Sequence, residues 1–347
     1  MKKKILLLVA IILIGFCVSL FFQIRRWSRT PYGRLDPKVA LFLKISSLQG
    51  GSSYHTELSV AENRKLLDRT ISLVSASPAA LPVVKDITIP GPGGPIPARL
   101  YAPAGGPYPV LLYFHGGGFV VGGLYSHDSL CRTLAKKTGA IVISVDYRLA
   151  PEHPFPAAID DAYAALLYVR RAGAEFNGDP GRIAVAGDSA GGTLAAAVSQ
   201  MARDRRGPAI SYQVLIYPAT DASGTMTQSR RNFSGGYMLT GGDMDTFISL
   251  YLPDKKDRLN PYASPLLAKG LGGLPPALVI TAQFDLLRDE GEAYARKLQS
   301  AGVPAKIRRY DGVIHGFVSA TRFLGQADDA IDTIAKSLRD AFNPAHK

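Results

Sequence analysis

The sequence predicts an α/β fold, with a mostly parallel eight-stranded sheet, helices on both of its faces and a helical cap. Three observations predict it. Short runs rich in Val, Ile, Leu and aromatic residues alternate with longer segments of helical periodicity. The central runs Val110–Phe114 and Ile183–Ala186 are apolar throughout rather than at every second residue, as befits strands buried on both faces of a parallel sheet. At 347 residues, the chain is long enough for one well-buried core carrying insertions.

In chain order, Lys2, Lys3 and Lys4 precede Ile5 to Ile24, an uncharged stretch followed by Arg25, Arg26 and Arg29. A bilayer span needs about 20 apolar residues, whereas the core of a cleaved export signal has roughly 7–15. Residues 1–26 are therefore expected to be an uncleaved transmembrane anchor, with residues 5–24 in the membrane. The alternative is an export signal cut after Ser19. Positive charge flanks both ends, and the three-lysine tail favours an inside amino terminus with the rest of the chain exported.

Residues 35–80 read as helical pieces, with Ser59-x-x-Glu62 as a capping box opening a helix at Val60 to Val74. Asp86–Ile89 and Ala98–Tyr101, joined by Pro90-Gly-Pro-Gly-Gly-Pro95, are expected to form an edge hairpin. Further strands are expected at Val110–Phe114, Ala140–Val145, Ile183–Ala186, Gln213–Tyr217, Ala277–Thr281 and Lys306–Tyr310. Helices are expected near His127–Thr138, Ala157–Ala172, Ala190–Arg203, Glu290–Ala301 and Gln326–Phe342. The stretch from Pro218 to Leu274 is much longer than an ordinary crossover. Residues 35–80 and the insert 219–273 are expected to pack together as the cap, over the main domain formed by the rest of 81–347.

Gly187-Asp188-Ser189-Ala190-Gly191-Gly192 joins a predicted strand to a predicted helix. A serine on so sharp a turn has its hydroxyl pushed outward, and the flanking glycines let strand and helix crowd together. The hydroxyl becomes a useful nucleophile only beside a base. The histidines are His55, His115, His127, His153, His315 and His346. When the nucleophile sits on such an elbow, the acid and then the histidine follow it in the chain. That order leaves His315 and His346, and His346 is the penultimate residue of a polar tail. His315 follows the strand-like Ala305–Tyr310. Asp285 lies at the carboxyl end of the 277–281 strand, where ligand-facing loops emerge. Asp289 is the reserve acid; it and Glu290 open a helix, where acids complement the positive end.

A tetrahedral oxyanion needs donors already aimed at it. His115-Gly116-Gly117-Gly118 follows a strand, and three glycines cost conformational entropy with no packing return. The amides of Gly116, Gly117 and Ala190 are the expected donors.

His115–Gly118, Asp146-Tyr-Arg-Leu-Ala-Pro-Glu-His153, Gly187–Gly192, Asp285-Leu-Leu-Arg-Asp-Glu290 and His315-Gly-Phe317 together resemble the hormone-sensitive-lipase-like group, family IV, of bacterial serine esterases in the α/β-hydrolase superfamily. The resemblance runs from about Val83 to Phe342. It implies an α/β-hydrolase fold with a cap and a triad of Ser189, Asp285 and His315. The implied activity is a carboxylesterase acting on short- to medium-chain acyl esters through an acyl-enzyme. A deacetylase, amidase or acyltransferase with the same triad is the alternative. A non-enzymatic receptor on this fold, as in the plant gibberellin receptors, is remote because those lack the triad histidine. Asp188 is expected to stabilise the turn, and Asp146–Pro156 to form a stiff structural loop in which His153 bonds locally. In the cap, Met238, Phe247 and Tyr251 are expected to face the substrate.

The formal charge of +12 is concentrated at the amino terminus. Residues 1–34 hold seven Lys/Arg and no acid, leaving 33 basic against 28 acidic residues, or +5, elsewhere. Anionic headgroups of a bacterial inner membrane are the expected partner of this end, and nucleic acid is not implied. Other expected partners are a small ester and a second copy of the chain in a homodimer. No cofactor and no metal are expected. Cys17 and Cys131 are the two cysteines, and no structural disulfide is expected from them.

Overall fold

The computed structural model describes residues 2–48 and 50–343. Among them, eight strands form one sheet: β1 (Val83–Gly91), β2 (Gly94–Ala102), β3 (Tyr108–Phe114), β4 (Ile141–Val145), β5 (Gly178–Asp188), β6 (Tyr212–Ile216), β7 (Ala277–Phe284) and β8 (Ala305–Ile314). Their order across the sheet is β8-β7-β6-β5-β3-β4-β2-β1. The hairpin β1–β2 and the β2–β4 pairing are antiparallel, and every other pairing is parallel. All of β4 and β6 is buried, which requires cover on both faces of the sheet.

The helices are α1 (Lys2–Trp27), α2 (Pro37–Ser47), α3 (Val60–Val74), α4 (Asp128–Thr138), α5 (Ala157–Ala172), α6 (Ala190–Asp204), α7 (Gln228–Phe233), α8 (Gly241–Tyr251), α9 (Arg288–Ser300) and α10 (Gly325–Phe342). Against the sheet, α4 packs with α10 and α5 with α6. After β4, the 146–156 loop is tied down by Arg148, whose guanidinium donates to the buried Asp161 carboxylate at 2.8 and 2.9 Å. His153 is exposed there, and its amide donates to the Leu149 carbonyl at 2.9 Å.

Residues 35–80 and the 219–273 insert touch each other. Ser59 and Glu62 make the reciprocal capping box of α3, and Thr240 with Asp243 makes a second one that opens α8. Asp243 is buried and also accepts from the Ser52 and Ser53 hydroxyls, joining residues about 190 apart. The Tyr54 ring stands edge-on to Phe247 at 5.2 Å. From α3, Arg64 reaches the Val120 carbonyl at 2.8 Å, the Ala150 carbonyl at 3.1 Å and the Glu152 carboxylate at 2.7 Å.

At the amino terminus the expected membrane span is not supported. Among the described residues, no helix is long and apolar enough to cross a membrane. The side chains of residues 2–5, 7–12 and 16 are outside that description.

Candidate active site

Strand β5 ends at Asp188 and α6 begins at Ala190, so Ser189 alone makes the turn. Its backbone has φ 54° and ψ −120°, outside the regions a non-glycine residue prefers. Such a conformation costs on the order of 1–3 kcal/mol and persists only when its surroundings enforce it. Here the Ser189 amide donates to the Ile216 carbonyl of β6 at 2.8 Å, and the Ser189 carbonyl caps α6 through the Thr193 amide at 3.1 Å. Close packing of strand and helix also requires Gly191, because a Cβ there would overlap the Phe114 carbonyl at the end of β3.

The half-buried Ser189 Oγ lies 3.0 Å from His315 Nε2, and His315 Nδ1 lies 2.7 Å from Asp285 Oδ2. The other carboxylate oxygen of Asp285 accepts from the Leu287 amide at 2.8 Å. Asp285 is buried at the end of β7, and His315 follows β8, so adjacent parallel strands deliver the two groups to the same edge. The Tyr217 ring lies 4.6 Å from the imidazole and braces it. A hydroxyl, an imidazole and a carboxylate hydrogen-bonded in this order can pass a proton from oxygen to nitrogen while a carbonyl is attacked.

A cavity of about 50 Å³ opens beside Ser189, lined by Gly118, Phe119, Leu239, Met244, Phe247 and Tyr251 among others. The space is lined mostly by apolar atoms. Among the described residues, no group of three or more His, Cys, Asp and Glu side chains is gathered to hold a metal.

The family described as the alpha/beta hydrolase fold matches residues 111–319, more than half of the chain. The chain is 43% identical to carboxylic ester hydrolase LipN of Mycobacterium tuberculosis, over 94% of this chain and 92% of that protein. It belongs to the hormone-sensitive-lipase-like family of α/β-hydrolase esterases. It is also 36% identical to an ethyl acetate hydrolase of Pseudomonas putida, over 88% and 98% of the two chains. A solved esterase from the archaeon Pyrobaculum calidifontis superimposes with a TM-score of 0.84 at 46% identity, covering 88% of this chain and 98% of the other. The protein is a carboxylic ester hydrolase.

Two of the residues expected at this esterase's site are placed elsewhere. The Gly116 amide donates to Asp188 Oδ1 at 3.0 Å, so it is not free for an oxyanion. Gly118, the third glycine, lines the cavity next to Ser189 and Ala190. Met238 does not line it. It precedes α8 with φ 73°, and its sulfur accepts from the Ser46 hydroxyl of α2 at 3.6 Å, while Leu239 and Met244 take the cavity wall. Phe247 and Tyr251 do line the cavity. The reserve acid Asp289 accepts from the Ser229 amide at 2.7 Å and pairs with Arg288, away from the imidazole. His346 lies outside the described residues.

Sequence reasoning also missed a buried polar group behind the loop. Asp188 accepts from the Tyr113 hydroxyl at 2.7 Å and pairs with His127 Nε2 at 3.1 Å. Burial opposes its charge, but the nearby His127 and these hydrogen bonds outweigh that and hold its carboxyl below the usual range. Next to it, burial pushes His115 down to about 3, so its ring is neutral. His115 stacks on Tyr147 at 4.3 Å, and its Nδ1 donates to the Gly116 carbonyl at 2.8 Å. The sequence predicts a turn-stabilising role for Asp188 and a helix start at His127, but not the contact between them.

Proposed function

We propose that Ser189, His315 and Asp285 act as nucleophile, general base and orienting acid in the hydrolysis of short-acyl esters. The observation that carries this reading is the hydrogen-bonded sequence of 3.0 and 2.7 Å ending on a strained serine at the cavity. His315 takes the Ser189 proton as Oγ bonds to the ester carbonyl carbon. The carbonyl π electrons move to oxygen, where the amides of Gly117, Gly118 and Ala190 receive the charge. The tetrahedral adduct collapses, its C–O bond breaks, and His315 gives the proton to the departing alcohol. Water then attacks the acyl-enzyme by the same route and frees the acid, with Asp285 keeping the proton of His315 on Nδ1 throughout.

The cavity of about 50 Å³ supports acetyl- to butyryl-sized acyl groups. Residues 35–80 and 219–273 serve as the cap that keeps bulk water from the acyl-enzyme. Ser189→Ala should abolish hydrolysis of p-nitrophenyl acetate without changing the circular-dichroism spectrum, and retained turnover would refute the assignment. A chain-length series should peak at or below C4.

At the amino terminus we propose a membrane-targeting segment, an anchor if retained and an export signal if cleaved. The uncharged residues 5–24 between Lys2–Lys4 and Arg25–Arg26 support it. Fractionation of expressing cells tests this, and an uncleaved full-length chain free in the cytosol would overturn it.

A further inference from the structure

Ser126, His127 and Asp188 take no part in the mechanism above, yet they form a continuous buried chain touching the glycine-rich loop at both ends. At the loop's start, Asp188 Oδ1 accepts from the Gly116 amide at 3.0 Å and meets His127 Nε2 at 3.1 Å. His127 Nδ1 lies 2.9 Å from Ser126 Oγ. At the loop's end, that same oxygen accepts from the Gly123 amide at 3.0 Å and lies 3.0 Å from the Gly123 carbonyl. Ser126, His127 and Asp188 are each less than one-tenth exposed. Between these anchors the backbone of Gly117, Gly118, Phe119 and Gly122 lies at positive φ. Phe119 gains nothing from that conformation by itself, so something must hold it.

Oxyanion donors accelerate the reaction only when they are aimed before the charge develops. Asp188 is covalently next to Ser189, so a loop referenced to Asp188 is referenced to the nucleophile. We propose that His127 is a positioning residue for the oxyanion hole. It links Asp188 to Ser126 and so fixes both ends of the 116–123 loop relative to Ser189. This inference rests on the esterase mechanism proposed above.

The test separates transition-state from ground-state binding. An alkyl trifluoromethyl ketone adds to the serine and places an oxyanion in the hole, whereas the matching trifluoromethyl carbinol fills the pocket without one. In His127→Leu, the ketone should bind about 10- to 100-fold more weakly, and kcat should fall by the same factor. KM and the carbinol's affinity should stay within about threefold. His127→Gln, whose amide can donate to Asp188 and accept from Ser126, should recover most of the loss. Ser126→Ala should show a smaller loss of the same kind, and it decides the matter if His127→Leu does not fold. Equal weakening of ketone and carbinol, or an unchanged kcat in a folded variant, overturns the proposal. A wild-type enzyme that neither hydrolyses esters nor binds the ketone would instead overturn the esterase mechanism.

Discussion

Asp285→Asn replaces one oxygen and is the sharpest probe of how the imidazole is oriented. In the wild type, the two carboxylate oxygens face different donors: the Leu287 amide at 2.8 Å and His315 Nδ1 at 2.7 Å. An asparagine satisfies the fixed Leu287 amide only by turning its carbonyl oxygen toward it. Its NH₂ then faces His315 Nδ1, which must accept, and the ring proton moves to Nε2. In that tautomer His315 cannot take the Ser189 proton. The opposite amide rotamer restores the tautomer but sets two buried donors against each other, costing about 1–3 kcal/mol. Either way, the imidazolium of the transition state loses a carboxylate. Unit charges about 4 Å apart interact by about 4 kcal/mol at an effective dielectric constant of about 20, which corresponds to roughly 10³ in rate. With the rotamer conflict added, kcat should fall by roughly 10³- to 10⁵-fold at nearly unchanged KM. Initial rates on p-nitrophenyl acetate measure this, with mass spectrometry to verify that the asparagine has not deamidated. A variant keeping more than a tenth of wild-type kcat would refute the orienting role.

Other outcomes follow from the same geometry. Gly118 has φ 61° and a Cβ there would overlap the Phe247 ring, so Gly118→Ala should cost about 10²-fold in kcat through a displaced oxyanion donor. An unchanged kcat would remove Gly118 from the hole. Phe247→Ala should raise the hexanoate-to-acetate ratio of kcat/KM about tenfold by lengthening the cavity, whereas Met238→Ala should leave the ratio within about twofold. Equal effects of the two would mean that the cavity wall is misassigned. Glu290 is raised from 4.5 to about 7 by burial, which Arg230 and the Thr220 and Asp221 amides only partly offset. The folded state thus binds this proton more tightly than the unfolded chain. The group's contribution to stability is complete below pH 4.5 and is lost as pH rises to about 7, a change on the order of 3 kcal/mol. Urea unfolding of wild type and Glu290→Gln should therefore give stability curves that separate across that window; parallel curves would contradict the buried-acid argument.

The sheet was legible because strands covered on both faces are mostly apolar, as Ile141–Val145 and Tyr212–Ile216 are apart from the buried Ser144 and Gln213. Ser189, Asp285 and His315 were legible for a different reason: a parallel sheet fixes which loops reach one edge, and chain order selects among the few acids and histidines there. What was not legible depends on contacts between distant residues. Nothing within Gly116–Gly118 shows that one amide is taken by a carboxylate 72 residues away. Met238 is expected from the sequence to face the substrate, but the Thr240 cap delays α8 until Gly241. The residue therefore falls on the entering loop, where α2 and not the cavity is its neighbour. His127 escaped notice for the same reason, since its partner Asp188 is brought near only by the β3–β5 pairing.

These contacts make the glycine loop a part shared by both halves of the protein. From the main domain it is held by Asp188, His127 and Ser126. From the 219–273 insert it is held by α8, whose Tyr251 ring stacks on Phe119 at 3.8 Å and 10° and whose Phe247 ring abuts Gly118. Phe247 is in turn met edge-on by Tyr54 from the amino-terminal segment. In the mechanism proposed above, the side chains that set acyl fit therefore also bear on the backbone that would receive the oxyanion. Ground-state binding and transition-state stabilisation cannot vary independently at such positions. A substitution at Tyr251 should change kcat even for an acetyl ester too short to reach that ring. Drift in cap sequence would then tune rate and specificity together, whereas changes at Met238, which does not line the cavity, would be free of that coupling.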